Sequence, residues 1–283
     1  SRQLDDERAV GAVNGQLHRY LSGIMPGETM PDTKRHAIRF VFVEPRYGGN
    51  VGAAARVLKN FGFGRLDLVD PREGADDEEA VRMAVDAADV LTAARTHKTL
   101  DEALDGAATV VGTSRRMGKH RQPHHRLDAL APLLPGLAQR GEVALVFGRE
   151  DHGLSDADLD RCTHLVYVPT GEAYPALNVA QTIAIVAYEL RIALDAATPE
   201  TLGPDDEIFA DHAGREAMYA HLEEALLAIG FLKLGQLEGM MRRLRRILSR
   251  AELTAGDVDV VRGISRQILW LAKQARLDLS KQP

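Results

Sequence analysis

The stretch AIRFVFVEPRYGGNVGAAAR, residues 37–56, marks the point where the chain acquires a fold. Ala37 to Val43 is a seven-residue run, apolar except for Arg39 and rich in β-branched and aromatic side chains, as expected of a strand buried on both faces. Gly48-Gly49 reads as a turn. Asn50 to Phe61 then reads as a helix capped by Asn50, with Val51, Ala54, Ala55 and Leu58 on its inner side and Arg56 in its second turn. A glycine-rich turn entering a helix can bring backbone N–H groups to an anion. The segment is neither G-x-x-x-x-G-K-[ST] nor G-x-G-x-x-G, so two common nucleotide fingerprints are excluded. On its own it is a capped helix with an exposed arginine.

The same texture continues outward. Leu66 to Val69, Thr109 to Gly112, Val143 to Phe147 and His164 to Val168 read as further strands. Acidic, alanine-rich helices fall around Glu78 to Leu91, and a long helix spans Asn178 to Leu194. Strands of about five residues alternating with helices indicate an α/β fold with a mainly parallel sheet. Residues 198–212 hold prolines, a glycine and several acids and read as a linker. Beyond them the period is helical. Met218, Leu222, Ala225, Leu226 and Ile229 form one stripe, Leu234, Leu237, Met241, Leu244 and Leu248 a second, and Val261, Ile264, Ile268 and Leu271 a third. The expected organisation is an N-terminal extension (1–35), an α/β domain (36–197), a linker (198–212) and a small helical domain (213–283). The extension reads equally as a short amphipathic helix or a mobile tail.

Composition bounds the function classes. The 283 residues are 45% hydrophobic and 27% charged, which argues against wholesale disorder. One cysteine, Cys162, can form neither an intrachain disulfide nor a cysteine metal cluster, so a reducing, cytoplasmic setting is the default expectation. No apolar run reaches the ~18–20 residues of a membrane span, and the first thirty residues show no secretory h-region. The net charge of -6 argues mildly against a nucleic-acid partner. Its distribution weakens that objection. Acids gather at Glu73 to Glu79 and Asp205 to Asp211, whereas Arg115, Arg116, Lys119, Arg121 and Arg126 sit in an acid-free segment that reads as a loop. A second cluster, Arg242, Arg243, Arg245, Arg246 and Arg250, lies in the helical tail, where Arg262 and Arg266 extend it. Arginine forks suit phosphates; the alternative is a solvated face partly paired to Glu238 or Glu252.

Two further constellations sit at strand ends. In Val146-Phe147-Gly148-Arg149-Glu150-Asp151-His152-Gly153-Leu154 a strand runs into a charged loop, and Ser155 caps the next helix. Open α/β sheets bind ligands at such ends. Glu150 and His152 lack a third metal ligand, so no metal is expected. In Val168-Pro169-Thr170 and Tyr174-Pro175-Ala176-Leu177-Asn178 a strand ends at proline and Asn178 opens an alanine-rich helix.

In this order the three constellations resemble the motifs of the SpoU/TrmH branch of the SPOUT methyltransferases. Asn50, Gly52 and Arg56 look like N-x-G-x-x-x-R. Phe147, Gly148, Glu150, Gly153 and Leu154 look like F-G-x-E-x-x-G-L. Pro169, Leu177 and Asn178 look like the third motif. The resemblance covers residues 37 to 194. With Val111 to Arg115 and the helical tail, it is closest to the TrmJ-like tRNA 2′-O-methyltransferases.

The resemblance implies a parallel sheet with helices on both faces, a C-terminal trefoil knot and a homodimer with active sites near the subunit interface. It implies S-adenosylmethionine as cofactor, held by Thr113, Ser114, Arg115, Gly148, Val168, Pro175, Ala176 and Leu177. It implies tRNA as substrate, methylated at nucleotide 32 of the anticodon loop, with ribosomal RNA or a non-catalytic RNA-binding role as alternatives. Arg56, Asn50, Glu150 and Asn178 are the implied catalytic residues, Arg56 foremost. Arg115, Arg116, Lys119, Arg121, Arg126, Arg242, Arg243 and Arg246 are the candidate RNA contacts. Pro175-Ala176 departs from the serines that many relatives carry there.

Overall fold

The computed structural model describes residues 37–115, 124–173, 175–197 and 208–274. The expected extension over 1–35 lies outside these residues, as do most of the linker and Arg116, Lys119 and Arg121. The elements in chain order are β1 (Ile38–Val43), α1 (Gly48–Asn60), β2 (Leu66–Val69), α2 (Glu78–Ala84), α3 (Ala88–Ala93), β3 (Arg95–His97), α4 (Leu100–Ala103), β4 (Ala107–Thr113), β5 (His124–Arg126), α5 (Leu127–Leu130), α6 (Leu134–Leu137), β6 (Glu142–Phe147), α7 (Asp156–Asp160), β7 (His164–Tyr167), α8 (Val179–Ala196), α9 (His212–Ala228), α10 (Leu237–Leu248) and α11 (Ala255–Gln274).

The seven strands form one sheet in the order β3-β2-β1-β6-β4-β7-β5, and every pairing is parallel. Parallel strands need long crossovers, and the intervening helices supply them. All six residues of β1 are buried, five of them apolar and the sixth, Arg39, donating to the Ala103 carbonyl oxygen (3.0 Å) and Glu142 (2.7 Å). Alternation divides them between two faces. Val41 and Val43 pack with Leu100 and Leu104 beneath and Leu159 beside them. On the other side Phe40 lies parallel to Phe147, ring centroids 6.0 Å apart, and tilts against Phe63 at 5.2 Å. Each such buried side chain contributes about 1.5–3 kcal/mol.

Several expectations are corrected. Helix α1 starts at Gly48, so Gly48-Gly49 is its first turn and Tyr47, not Asn50, is the cap residue. The glycines serve close approach. A Cβ on Gly48 would lie 2.0 Å from Asp77 Oδ1, and one on Gly52 would lie 2.0 Å from the Ala80 carbonyl oxygen. Arg56 consequently falls in the third turn. The helices expected around Glu78 to Leu91 are present as α2 and α3, separated at Val85, whose φ is +53°. Strands β3 and β5 were not legible, and His124–Arg126, read as loop, pairs with β7. Both are three-residue edge strands without apolar alternation, so only the neighbouring strand defines them.

In the tail, Met218 and Tyr219 of α9, Met241 of α10 and Val258 of α11 share one core, against which Leu237, Leu244, Leu248 and Val261 pack. The third expected stripe is partly wrong: Ile264 and Leu271 are 54% and 52% exposed, and the inward positions of α11 are Val258, Ser265 and Ala272. The tail is bolted to the sheet. Arg215 donates to the carbonyl oxygens of Ala108 (2.6 Å) and Ala107 (3.4 Å) on β4 and to that of Ala210. Asp101 accepts from Arg161 Nε (2.7 Å) and contacts His212 Nε2 (2.8 Å), which lowers its carboxyl to about 2, Arg161 being the larger cause. No helix among the described residues is long and apolar enough to cross a membrane.

Candidate active site

The loops leaving the C-terminal ends of β4, β6 and β7, three neighbours in the sheet, enclose a cleft of about 210 Å³ that opens to solvent on one side. Thr113, Ser114, Arg115, Gly148, Val168, Pro175, Ala176 and Leu177, the eight residues singled out for a cofactor, all line it. Each loop is fixed locally. Thr113 Oγ1 donates to the Val146 carbonyl oxygen (3.0 Å), and the Ser114 amide donates to that of Val166 (2.9 Å). Thr170 Oγ1 donates to the Pro175 carbonyl oxygen (3.2 Å), closing the last loop. Gly148 is buried, and a Cβ there would lie 2.2 Å from Gly153 C and Leu154 N. Only glycine lets the second motif fold back on itself. Ser155 caps α7 as expected, in a reciprocal box with Asp158.

At the lip of this cleft the three motifs meet. Asn178 caps α8, its Oδ1 accepting from the Ala180 amide at 2.8 Å and the Gln181 amide at 3.3 Å. That leaves its Nδ2 to donate to Asn50 Oδ1 at 3.0 Å. Asn50 Nδ2 in turn donates to Glu150 Oε1 at 3.0 Å. The cap thus fixes the orientation of both amides, since a flip of either would oppose like atoms. Glu150 also accepts from the Arg46 amide at 3.1 Å. Its carboxylate therefore faces the start of α1, where the helix dipole favours negative charge, rather than the start of α7.

Sequence reasoning missed the residues that hold this lip. The Gly48 amide donates to Glu73 Oε2 at 2.7 Å, so a carboxylate of the chain itself takes the anion place at the start of α1. Arg149 bridges Asp151 (2.9 Å) and Glu44 (3.1 Å), and Arg46 lies 3.4 Å from Asp151. The Arg149 guanidinium holds the Asp151 carboxyl well below the usual carboxylate range, with Arg46 adding to the effect. The only available signal was charge alternation in the loop, which does not specify partners.

Arg56 is not part of this line. It is exposed, absent from the cleft wall, and forms no hydrogen bond or ion pair among the described residues. Six residues along a helix place it about 240° around the axis from Asn50. The candidate RNA contacts are divided. Arg126 is held by Asp128 (2.8 Å), and Arg242 by Asp160 (2.8 Å) and Glu238 (2.9 Å). Arg245 pairs with Glu216 and lies 4.3 Å over the Tyr219 ring. Arg115, Arg243 and Arg250 are exposed and Arg246 half-buried, without such partners among the described residues. No group of three or more metal-ligating side chains occurs among the described residues.

Comparison with known proteins agrees with this geometry. The profile of the SpoU rRNA Methylase family matches residues 37–188, and that of the tRNA methyltransferase TrmJ C-terminal domain matches residues 214–279. The tRNA (cytidine/uridine/adenosine-2′-O-)-methyltransferase TrmJ of Pseudomonas aeruginosa is 38% identical over 249 residues, 83% of this chain and 95% of that one. The tRNA (cytidine/uridine-2′-O-)-methyltransferase TrmJ of Escherichia coli K12 is 36% identical over 235 residues, 82% of this chain and 94% of that one. The crystal structure of TrmJ from Z. mobilis ZM4 superposes with a TM-score of 0.71 at 30% identity, over 81% of this chain and 98% of that one. With the profile spanning over half its length and relatives aligned almost end to end, the chain belongs to the SpoU methylase family, on its TrmJ branch.

Proposed function

We propose that this enzyme methylates a ribose 2′-hydroxyl of tRNA, using S-adenosylmethionine. The observation that carries the reading is the line Glu150–Asn50–Asn178 at the lip of the cleft, which joins three distant segments through oriented amides. When bound, S-adenosylmethionine supplies the methyl group. The cleft fits such a molecule: Leu154, Val166, Val168 and Leu177 offer apolar walls, Arg115 suits its carboxylate, and Glu150 and Asp151 suit its positive charges. Asn50 and Asn178 orient the ribose, with Glu150 fixing the Asn50 amide. A guanidinium keeps its proton at neutral pH, so Arg56, which stands outside the cleft wall of its own chain, acts by donating hydrogen bonds to the hydroxyl and its developing negative charge where the bound RNA or the second subunit of the proposed dimer brings the two together. Pro175-Ala176 offers no hydroxyl there, but Thr170 and Thr182 also line the cleft.

Residues 36–197 form the catalytic domain in this reading, with 198–212 as linker and 213–283 as the helical domain. The chain after β7 is threaded as the family's knot. The enzyme works in the cytoplasm as a homodimer. Support for the dimer is an exposed apolar face on α8, where Tyr188, edge-on to Phe61 with ring centroids 6.1 Å apart, and Ile192 are 50% and 46% exposed one turn apart. The relatives' names give tRNA and the nucleosides cytidine and uridine, with adenosine as well for the Pseudomonas aeruginosa protein. Nucleotide 32 finds no support in those names and rests on the resemblance alone. Incubation with labelled cofactor and unmodified tRNA, followed by nuclease digestion and mass spectrometry, tests the activity and maps the nucleotide. Ribosomal RNA transcripts serve as the competing substrate. No ribose methylation across a complete tRNA pool overturns the proposal.

A further inference from the structure

Trp270 is the only tryptophan in the chain, and it stands 53% exposed on α11. It does not belong to the core, because the inward positions of that helix are Val258, Ser265 and Ala272. Arg262, Arg266, Trp270 and Lys273 follow one another at spacings of four, four and three residues, so they form one stripe along the helix. All four are exposed. Gly263, Arg266, Gln267 and Trp270 line a shallow groove, widely open to solvent, on the helix surface. The space beside Gly263 is open: a Cβ there would meet only Arg266 Nη2, at 4.0 Å. Arg262 and Arg266 form no ion pair among the described residues. No aspartate or glutamate occurs from Val260 to Gln274, in a chain whose net charge is -6.

These groups match what an unpaired nucleotide presents. An indole face stacks on any base, a guanidinium beside it takes the phosphate or stacks in turn, and a primary amide reads a base edge. Asp259, three residues before Arg262, is the nearest carboxylate along the helix, and none follows it up to Gln274; cations that form no ion pair among the described residues favour a polyanion over a protein partner. We propose that Trp270, with Arg266 and Gln267, forms a stacking subsite for an unpaired nucleotide of the RNA substrate, on the helical tail and separate from the methyl-transfer cleft. The proposal rests on RNA being the substrate and adds where the tail holds it.

Because Trp270 is the sole indole, the emission of the full-length protein reports on this groove alone. Titration with unmodified tRNA is expected to quench that emission and protect it from acrylamide, with weaker binding as salt rises. Trp270→Ala should raise the KM for tRNA about tenfold at unchanged kcat and unchanged thermal midpoint, and Trp270→Phe should restore most of the loss. Emission and acrylamide access that stay constant at tRNA concentrations saturating methylation overturn the subsite, as does a wild-type KM in Trp270→Ala. Emission that varies with protein concentration without RNA overturns it in favour of a contact between copies. If the wild-type protein methylates no tRNA yet the RNA quenches Trp270, the proposed activity fails and the subsite stands.

Discussion

Asn178 Nδ2 donates to Asn50 Oδ1 at 3.0 Å across 128 residues of sequence, and this one bond couples the cap of α8 to the first turn of α1. Because Asn178 Oδ1 is committed to the Ala180 and Gln181 amides, Asn50 must present its NH₂ to Glu150.

That polarity makes a signed prediction. Asn50→Ala removes the donor and should lower kcat about 10–100-fold, the range for a hydrogen bond to a charged group. Asn50→Asp should be worse, since it sets a second carboxylate against Glu150. Steady-state methylation of tRNA by the two variants checks this, and an Asn50→Asp enzyme more active than Asn50→Ala contradicts the assigned orientation.

Arg56 is exposed and bonded to nothing among the described residues, so its removal leaves no orphaned partner. Arg56→Ala should keep the thermal midpoint and the affinity for S-adenosylhomocysteine, measured by calorimetry, while turnover falls about 100–1000-fold. Undiminished turnover removes Arg56 from the mechanism.

Gly148 has backbone within 2.2 Å of where a Cβ would stand. Backbone cannot yield as a flexible side chain would, so Gly148→Ala should displace the loop 149–154 and weaken S-adenosylhomocysteine binding at least about tenfold. An alanine variant with wild-type affinity places the cofactor elsewhere.

The apolar face of α8 predicts the assembly. Tyr188→Asp puts a charge where Tyr188 and Ile192 are exposed, and burying an unpaired carboxylate in an interface is costly. Light scattering should show a wild-type dimer and a monomeric variant. A wild-type monomer, or a variant that still dimerises with wild-type affinity, shows that this face is not the interface.

His164 gives the pH dependence. Burial, with smaller contributions from His125 and Arg215, lowers its pKa to about 4 from the ordinary 6.5. The unfolded chain therefore takes up a proton that the folded protein refuses, and stability falls as the pH drops from about 6.5 through about 4. Urea melts at pH 7 and pH 4.5 should show that loss, and His164→Asn should flatten it. An unchanged slope in the variant assigns the acid sensitivity to other groups.

The sequence by itself determined the strands that are buried on both faces. Ile38–Val43, Leu66–Val69 and Glu142–Phe147 lie within a residue or two of their expected bounds, because a central parallel strand buried on both faces is mostly apolar whatever its neighbours, here interrupted only by Arg39, Asp67 and Glu142. The family resemblance that its motifs carry named eight residues that line the cleft, and the caps at Ser155 and Asn178 followed from local hydrogen-bonding needs. Tertiary structure alone decided the rest. β3 and β5 exist because an adjacent strand offers pairing groups. Gly48-Gly49 proved to be the first turn of α1, with no room at Gly48 for a Cβ beside Asp77. Arg242 and Arg245 were drawn from the basic cluster by Asp160 and Glu216, and Trp270 was left outside the core because α11 turns Val258, Ser265 and Ala272 inward. Burial and local propensity act on a residue and its near neighbours, whereas pairing, close approach and ion-pair choice depend on segments that only the folded chain brings together.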